Sequence, residues 1–283
     1  LAGVLYLVAT PIGNLEDITL RALRVLRDEV AAIACEDTRQ TQKLLEHYAI
    51  RKPLLSYHEH NEASRAEEIV DRLEQGDSIA MVSDAGTPLI SDPGYRAVAA
   101  AIQKGLQVVS LPGASAVLTA LAASGLPVDQ FRFIGFLPHK THARKQIFEG
   151  LKTEPATVIA YESPHRILES LSDLAEVLGE RRIALGRELT KLHEEFLRGT
   201  AAEIRARLAA RDSVKGEITL VIGRAAEQVM EGDPKDVVAC LEKQGMERMQ
   251  AIKAAAKQLG LPKRAVYSAV AEPGNSSPGK RRG

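Results

Sequence analysis

Residues 79–94 constrain the fold more than any other stretch of this chain. Ile79-Ala80-Met81-Val82 is apolar on both faces, as a strand in the middle of a parallel sheet is. It stops abruptly in Ser83-Asp84-Ala85-Gly86-Thr87-Pro88, where no side chain is large and the backbone can approach a ligand closely. Asp92-Pro93-Gly94 then reads as a helix start, with Asp92 as N-cap and Pro93 at the first helical position. A loop at the carboxyl end of a parallel strand, opening into a helix, is where open α/β sheets bind ligands. The same residues also suit a tight connection in which Gly and Pro only shape the turn.

The rest of the chain repeats this alternation. Strands are expected at 4–9, 31–35, 53–57, 107–111, 131–136, 156–161, 182–186, 194–198 and 216–223. Helices fall between most of them, one capped by Asp17, one closed by Gly76 and one opened by Ser163-Pro164. Strand–helix alternation argues for a parallel sheet covered on both faces. The closely spaced strands near Arg182 and Glu194 argue for a second, mixed sheet. The Pro-bearing stretch 126–141 reads as a seam. It divides an α/β domain at 1–125 from a second at 126–226, with a helical module at 227–272 and a disordered Gly/Ser/Pro/Arg-rich tail at 273–283. In that module Ala256, Gly260 and Val266 have helix-turn-helix spacing, which a small helical cap also satisfies.

Composition excludes little: 45% hydrophobic and 26% charged residues are ordinary for a globular chain. No apolar run approaches the ~20 residues of a membrane span, and the first residues enter a strand with no basic leader. Two distant cysteines, Cys35 and Cys240, suit a reducing, cytoplasmic compartment. Net charge is zero, but residues 231–283 carry ten Lys/Arg against six Asp/Glu, a basic end suited to a polyanion or simply to water.

Several motifs fail. The segment from Gly274 to Lys280 imitates a phosphate loop, but Arg281 stands where a Mg²⁺-binding Ser or Thr belongs. His58-Glu59-His60-Asn61-Glu62 and His193-Glu194 lack the second His of a zinc helix, and no metal site is expected. Gly113-Ala114-Ser115-Ala116-Val117 lacks the last Gly of a nucleophile elbow. What remains is a set of small Gly- and Pro-bearing loops at strand ends, suited to an adenosyl group read by backbone atoms.

Seven stretches in order then carry a resemblance: 7–15 with Thr10-Pro11-Ile12-Gly13-Asn14, Cys35-Glu36-Asp37-Thr38-Arg39, Ser83 to Gly94, Leu111-Pro112-Gly113-Ala114-Ser115, Tyr161-Glu162-Ser163-Pro164-His165-Arg166, Arg187-Glu188-Leu189-Thr190-Lys191 and Lys215-Gly216-Glu217. The chain resembles the tetrapyrrole methylase family, the class III S-adenosylmethionine-dependent methyltransferases. Ser83-Asp84-Ala85, in place of Gly-Asp-Pro, follows the RNA-modifying members. The resemblance implies two α/β domains with S-adenosylmethionine between them, usually in a homodimer. It also implies methylation of a cytidine ribose 2′-oxygen in the decoding region of small-subunit (16S) ribosomal RNA, free or within the assembled subunit.

Carried over residue by residue, the cofactor loops comprise Pro11, Asp84, Ala85, Gly86, Thr87, Ser115 and Ala116, with Tyr161 and Ile218 closing over the adenine. Candidates for proton transfer or phosphate contact at strand ends are Asp37, Arg39, His58, Arg166 and Glu188. Asp37 is equally an N-cap and His58 an ordinary loop histidine, while Arg39 and Arg166 suit phosphates. RNA contacts are expected from Lys140, Arg144 and Lys145, and from Lys263 and Arg264 at the start of the last helix. A methyltransferase acting on a tetrapyrrole or a protein side chain is the alternative within the family. A ligand-sensing, nucleic-acid-binding regulator is the non-enzymatic one.

Overall fold

The computed structural model describes residues 1–225 and 232–271. The tail at 273–283, with its phosphate-loop imitation, lies outside them. Contacts gather the chain into two compact units, Leu1–Ala225 and Ala226–Gly283.

The first unit holds two five-stranded sheets. Strands β1 (Val4–Val8), β2 (Ala32–Cys35), β3 (Leu54–Ser56), β4 (Ile79–Val82) and β5 (Gln107–Leu111) form an all-parallel sheet in the order β3-β2-β4-β1-β5. The connecting helices are α1 (Leu20–Arg24), α2 (Thr38–His47), α3 (Glu62–Glu74), α4 (Tyr95–Gln103) and α5 (Ala116–Ser124). Because successive strand residues face opposite ways, each strand feeds two cores. Val8, Ile33 and Val82 pack with Leu26 and Leu45 on one face, and Leu5, Ala34 and Met81 with Leu73 and Ala97 on the other. All four residues of β4 are buried, as their apolar run requires.

The second sheet comprises β6 (Phe131–Phe136), β7 (Thr157–Glu162), β8 (Arg182–Arg187), β9 (Glu195–Thr200) and β10 (Ile218–Ile222), in the order β6-β7-β10-β8-β9. Only β6 and β7 are parallel, so this sheet is mixed, as expected. Helices α6 (Thr141–Gly150), α7 (Ile167–Leu178) and α8 (Ala201–Ala209) supply the core on one face through Phe148, Leu171 and Ile204. The other face is covered by α5, whose Val117, Ala120 and Leu121 pack with Ile159, Ala184 and Val221. A helix contributed by the first sheet's half of the chain thus completes the second sheet's core, and both sheets belong to one compact unit.

Three expected helix starts are displaced. Asp17 ends a 3-10 turn, and α1 is capped instead by Thr19, whose hydroxyl accepts from Ala22 N. Asp92-Pro93 precede α4, whose cap residue is Gly94 at φ +141°. The carboxylate of Glu62 accepts from Gly94 N at 3.1 Å and Arg96 N at 3.3 Å, so a distant side chain supplies the cap. Ser163 organises a separate turn by accepting from His165 N and Arg166 N, and α7 begins later at Ile167.

In the second unit, α9 (Pro234–Lys243), α10 (Arg248–Gln258) and α11 (Lys263–Ala271) share a core that includes Val238, Ala256 and Val266. Gly260 turns the chain between α10 and α11 at φ +60°, where glycine carries no Cβ penalty. Lys263 and Arg264 are exposed at the start of α11. Among the described residues no helix is long and apolar enough to cross a membrane.

Candidate active site

The parallel strands deliver their loops to one edge, where hydrogen bonds knit them together. Thr10, just after β1, and Gly86, after β4, exchange backbone bonds of 2.9 and 3.0 Å. The Thr10 hydroxyl donates to Ser83 O, and the Ser83 hydroxyl donates to Gly86 O, both at 3.0 Å. Thr87 donates to Ala114 O at 3.2 Å, tying in the loop after β5. Asp37 N donates to Asp84 Oδ1 at 3.2 Å, adding the loop after β2. Gly86 sits at φ +85°, and a Cβ there would stand 3.3 Å from Ile12 Cγ2.

These loops face the second sheet across a cavity of about 430 Å³, within the range of ~300–1,000 Å³ usual for small-molecule sites. Eight of the nine expected cofactor residues line it: Asp84, Ala85, Gly86, Thr87, Ser115, Ala116, Tyr161 and Ile218. Pro11 lines a second, more open cavity of about 490 Å³ next door, which shares Ile12, Asp84, Ala85 and Glu217 with the first. Ser115 caps α5, its hydroxyl accepting from Leu118 N. Tyr161 meets Phe133 and Phe136 edge-on, with centroids 4.9 and 5.3 Å apart. Burial, reinforced by Asp92 and Glu217, pushes its phenol up to about 12.

The cavity's charge is one-sided. Asp84, Asp92, Glu162 and Glu217 line it, and none of its lining residues is basic. Glu162 is consumed internally, accepting from Ser163 N, Ser170 Oγ and Arg166 Nη2. Glu217 is paired with Lys191 at 3.1 Å, so Asp84 and Asp92 are the two that favour a ligand of net positive charge and oppose a phosphate chain. Burial, then the Glu36 and Asp84 carboxylates, pushes the Asp92 carboxyl up to about 6, with the nearby Ser83 hydroxyl acting in the lowering direction. Sequence reasoning placed Asp92 as a helix cap, and it did not single out Phe136, Glu162 or Glu217 for the cofactor. The available signal was their position at strand ends beside Tyr161 and Ile218.

None of the five candidate catalytic residues, Asp37, Arg39, His58, Arg166 and Glu188, is in the lining of this cavity. Asp37 caps α2, and the bonds it accepts from Arg39 hold its carboxyl below the usual range. Arg39 projects outward with its side chain 88% exposed. His58 holds its loop by donating from its backbone N to Asn61, and its buried Nδ1 has no hydrogen-bond partner. Arg166 binds the wholly buried Glu162 at 2.9 Å, leaving Nη1 buried and unpaired. Glu188 is occupied, since one oxygen accepts from both Lys191 Nζ at 2.8 Å and Glu217 N at 3.0 Å.

The basic stretch of α6 needs correction. Arg144 is fully buried, donating to Asp173 at 2.7 Å and to the carbonyls of Pro138 and His139. It joins α6 to α7 and cannot reach RNA. Lys145 is paired with Glu176 at 2.6 Å, while Lys140 is exposed. No group of His, Cys, Asp and Glu among the described residues is arranged to hold a metal.

Comparison with known proteins agrees with this architecture. Residues 4–205 match the tetrapyrrole (corrin/porphyrin) methylases. Proteins named ribosomal RNA small subunit methyltransferase I are 48% identical in Halalkalibacterium halodurans and 49% in Bacillus subtilis, each alignment covering 94% of both chains. Among solved structures, uroporphyrin-III C-methyltransferase from Thermus thermophilus, complexed with S-adenosylhomocysteine, aligns with a TM-score of 0.54 at 17% identity. That alignment covers 78% of this chain and 97% of the other. A diphthine synthase aligns with a TM-score of 0.54 at 13% identity, covering 78% and 90%. The chain belongs to the tetrapyrrole methylase family, among the relatives named ribosomal RNA small subunit methyltransferase I.

Proposed function

We propose that this protein transfers a methyl group from S-adenosylmethionine to the ribose 2′-oxygen of a cytidine in the decoding region of small-subunit ribosomal RNA. The observation that carries the reading is the cavity itself, built on loops at strand ends, lined by carboxylates and without a basic residue. S-adenosylmethionine fits that donor set, being a cation with an aromatic base and no phosphate. When bound, it supplies an already activated methyl group, so the chain need not form a covalent intermediate.

The protein's own part is orientation and proton removal. Asp84 and Asp92 attract positive charge and lose that hold on a neutral product. Tyr161 and Ile218 present a flat, apolar surface to the adenine. Asp92 is the proton acceptor, since it lines the cavity and its raised affinity for a proton leaves it ionised just above pH 6. Asp37 and Glu188 are each engaged in a structural contact.

The test uses methyl-labelled cofactor with small ribosomal subunits lacking the modification, followed by nucleoside analysis. One 2′-O-methylcytidine per subunit is expected. Label on a base, or transfer only to a corrinoid or a protein, would sink the reading. The homodimer implied by the resemblance is to be checked by light scattering. The free Cys35 and Cys240 support a cytoplasmic setting.

A further inference from the structure

The second cavity, beside the cofactor cavity, has a different character. One side is α2, which contributes Gln40, Lys43 and His47, and the opposite side includes Lys191. Its acids are Asp84 and Glu217, on the wall shared with the first cavity. Lys191 is neutralised by Glu188 and Glu217, at 2.8 and 3.1 Å. The basic groups of α2 are less committed. The Lys43 ammonium has a long 3.5 Å bond to the neutral amide of Gln40, and Arg39 reaches Asp37 only at 3.4 Å. His47 makes an edge-on ring contact with Tyr48.

Arg39, Lys43 and His47 recur every four residues, so they form one stripe along α2. At 1.5 Å rise per residue, neighbours on the stripe are spaced by about 6 Å along the axis, a step comparable to that between successive phosphates of a nucleic-acid strand. The stripe passes the mouth of a cavity whose inner wall is also the wall of the cofactor site. The carboxylates beyond that wall repel phosphates and leave only an uncharged sugar edge free to approach.

We infer that α2 is the RNA track of this enzyme, with Arg39, Lys43 and His47 holding successive backbone phosphates while the target ribose reaches across the shared wall of Ile12 and Asp84 into the cofactor cavity. This rests on the proposed RNA methylation and names the surface that holds its substrate. The track takes over the role first expected of Arg144.

The test compares wild-type protein with Lys43→Glu and with the Arg39→Ala/Lys43→Ala double variant, all as full chains. Three quantities are measured: binding to small subunits over a salt series, methyl transfer to them, and calorimetric affinity for S-adenosylhomocysteine. Lys43→Glu is expected to weaken subunit binding and raise KM by about tenfold with kcat within twofold. The double variant should lower the salt slope by about 0.7 for each cation removed. Affinity for S-adenosylhomocysteine should stay at the wild-type value, which also reports an intact fold. Subunit binding and salt slope unchanged in both variants would overturn the track. Wild-type protein that binds subunits through Lys43 but methylates another atom would strike the proposed reaction and leave the track standing.

Discussion

Thr10 and Gly86 exchange both of their backbone hydrogen bonds across two loops that follow different strands. This two-bond clasp fixes the spacing between the loops after β1 and β4, and so the shape of the first cavity, which they border. Its geometry depends on Gly86 at φ +85° with Ile12 close behind.

Gly86→Ala should therefore loosen the clasp. An L-residue held in this region costs roughly 1–2 kcal/mol, and the new methyl must also displace Ile12. The expected result is a melting temperature lower by a few degrees and cofactor binding weakened about tenfold, measured by calorimetry with S-adenosylhomocysteine. Gly105→Ala, also at positive φ but with open space around it, serves as the control and should leave cofactor affinity unchanged.

Asp92 makes a pH prediction. Its carboxyl holds its proton more tightly in the folded protein, up to about 6 against an ordinary 3.8. The native state binds more protons between those values, so this group costs stability as pH rises from about 3.8 through 6. Asp92→Asn should remove that slope and raise stability at pH 7, read by urea unfolding across pH. Methyl transfer should fall by about 10²–10⁴-fold, the usual worth of a positioned base, and the acidic limb of kcat/KM near pH 6 should vanish. A variant with wild-type turnover would remove Asp92 from the reaction.

Arg144 is a structural cation, and its loss should read as one. Arg144→Met removes the close partner of the Asp173 carboxylate, whose side chain is only 10% exposed, and leaves it Lys145 at 3.8 Å. Breaking such a pair costs about 3 kcal/mol or more, measurable as a lower urea midpoint. The salt dependence of RNA binding should not change, in contrast to Lys43→Glu.

Glu188 offers the opposite pH signature. The Lys191 ammonium, and then the backbone N–H of Glu217, hold its carboxyl below the usual range. Its contribution is present above the unfolded carboxylate's value and is lost as pH falls through the lowered one. Glu188→Gln should cost about 1.5 kcal/mol at neutral pH, the low end for a hydrogen bond to a charged group, and progressively less as pH falls below the ordinary carboxylate range. Turnover at saturating cofactor should stay within a few-fold of wild type, because Glu188 braces a loop. A collapse of kcat with stability intact would return it to the list of proton acceptors.

The fold was legible where a physical signal is local. The apolar run that ends at Ser83 marks β4 to the residue, and β5 and β6 are equally clear from their flanking turns. Ser115 and Asp37 act as the caps their residue types suggest. What stayed hidden depends on partners far along the chain. Asp92-Pro93 has the composition of a helix start, yet Glu62, some thirty residues earlier, caps α4 from elsewhere. Arg144 belongs to a basic stretch that looks solvated, and only the packing of α7 brings Asp173 to it. The acidity of the first cavity is likewise a sum over three separate places, the loop after β4, the end of β7 and the start of β10, none acidic enough to be noticed alone.

The position of α5 bears on how such proteins can be recombined. The natural place to cut the sequence is the Pro-bearing seam after Gly125, but a crossover there separates Val117, Ala120 and Leu121 from the strands they cover. A chimera joined at that point inherits a helix fitted to one relative and a sheet fitted to another. Moving the junction back to Pro112, between β5 and α5, keeps the helix with its sheet. In this architecture the heritable module begins one helix earlier than the sequence suggests.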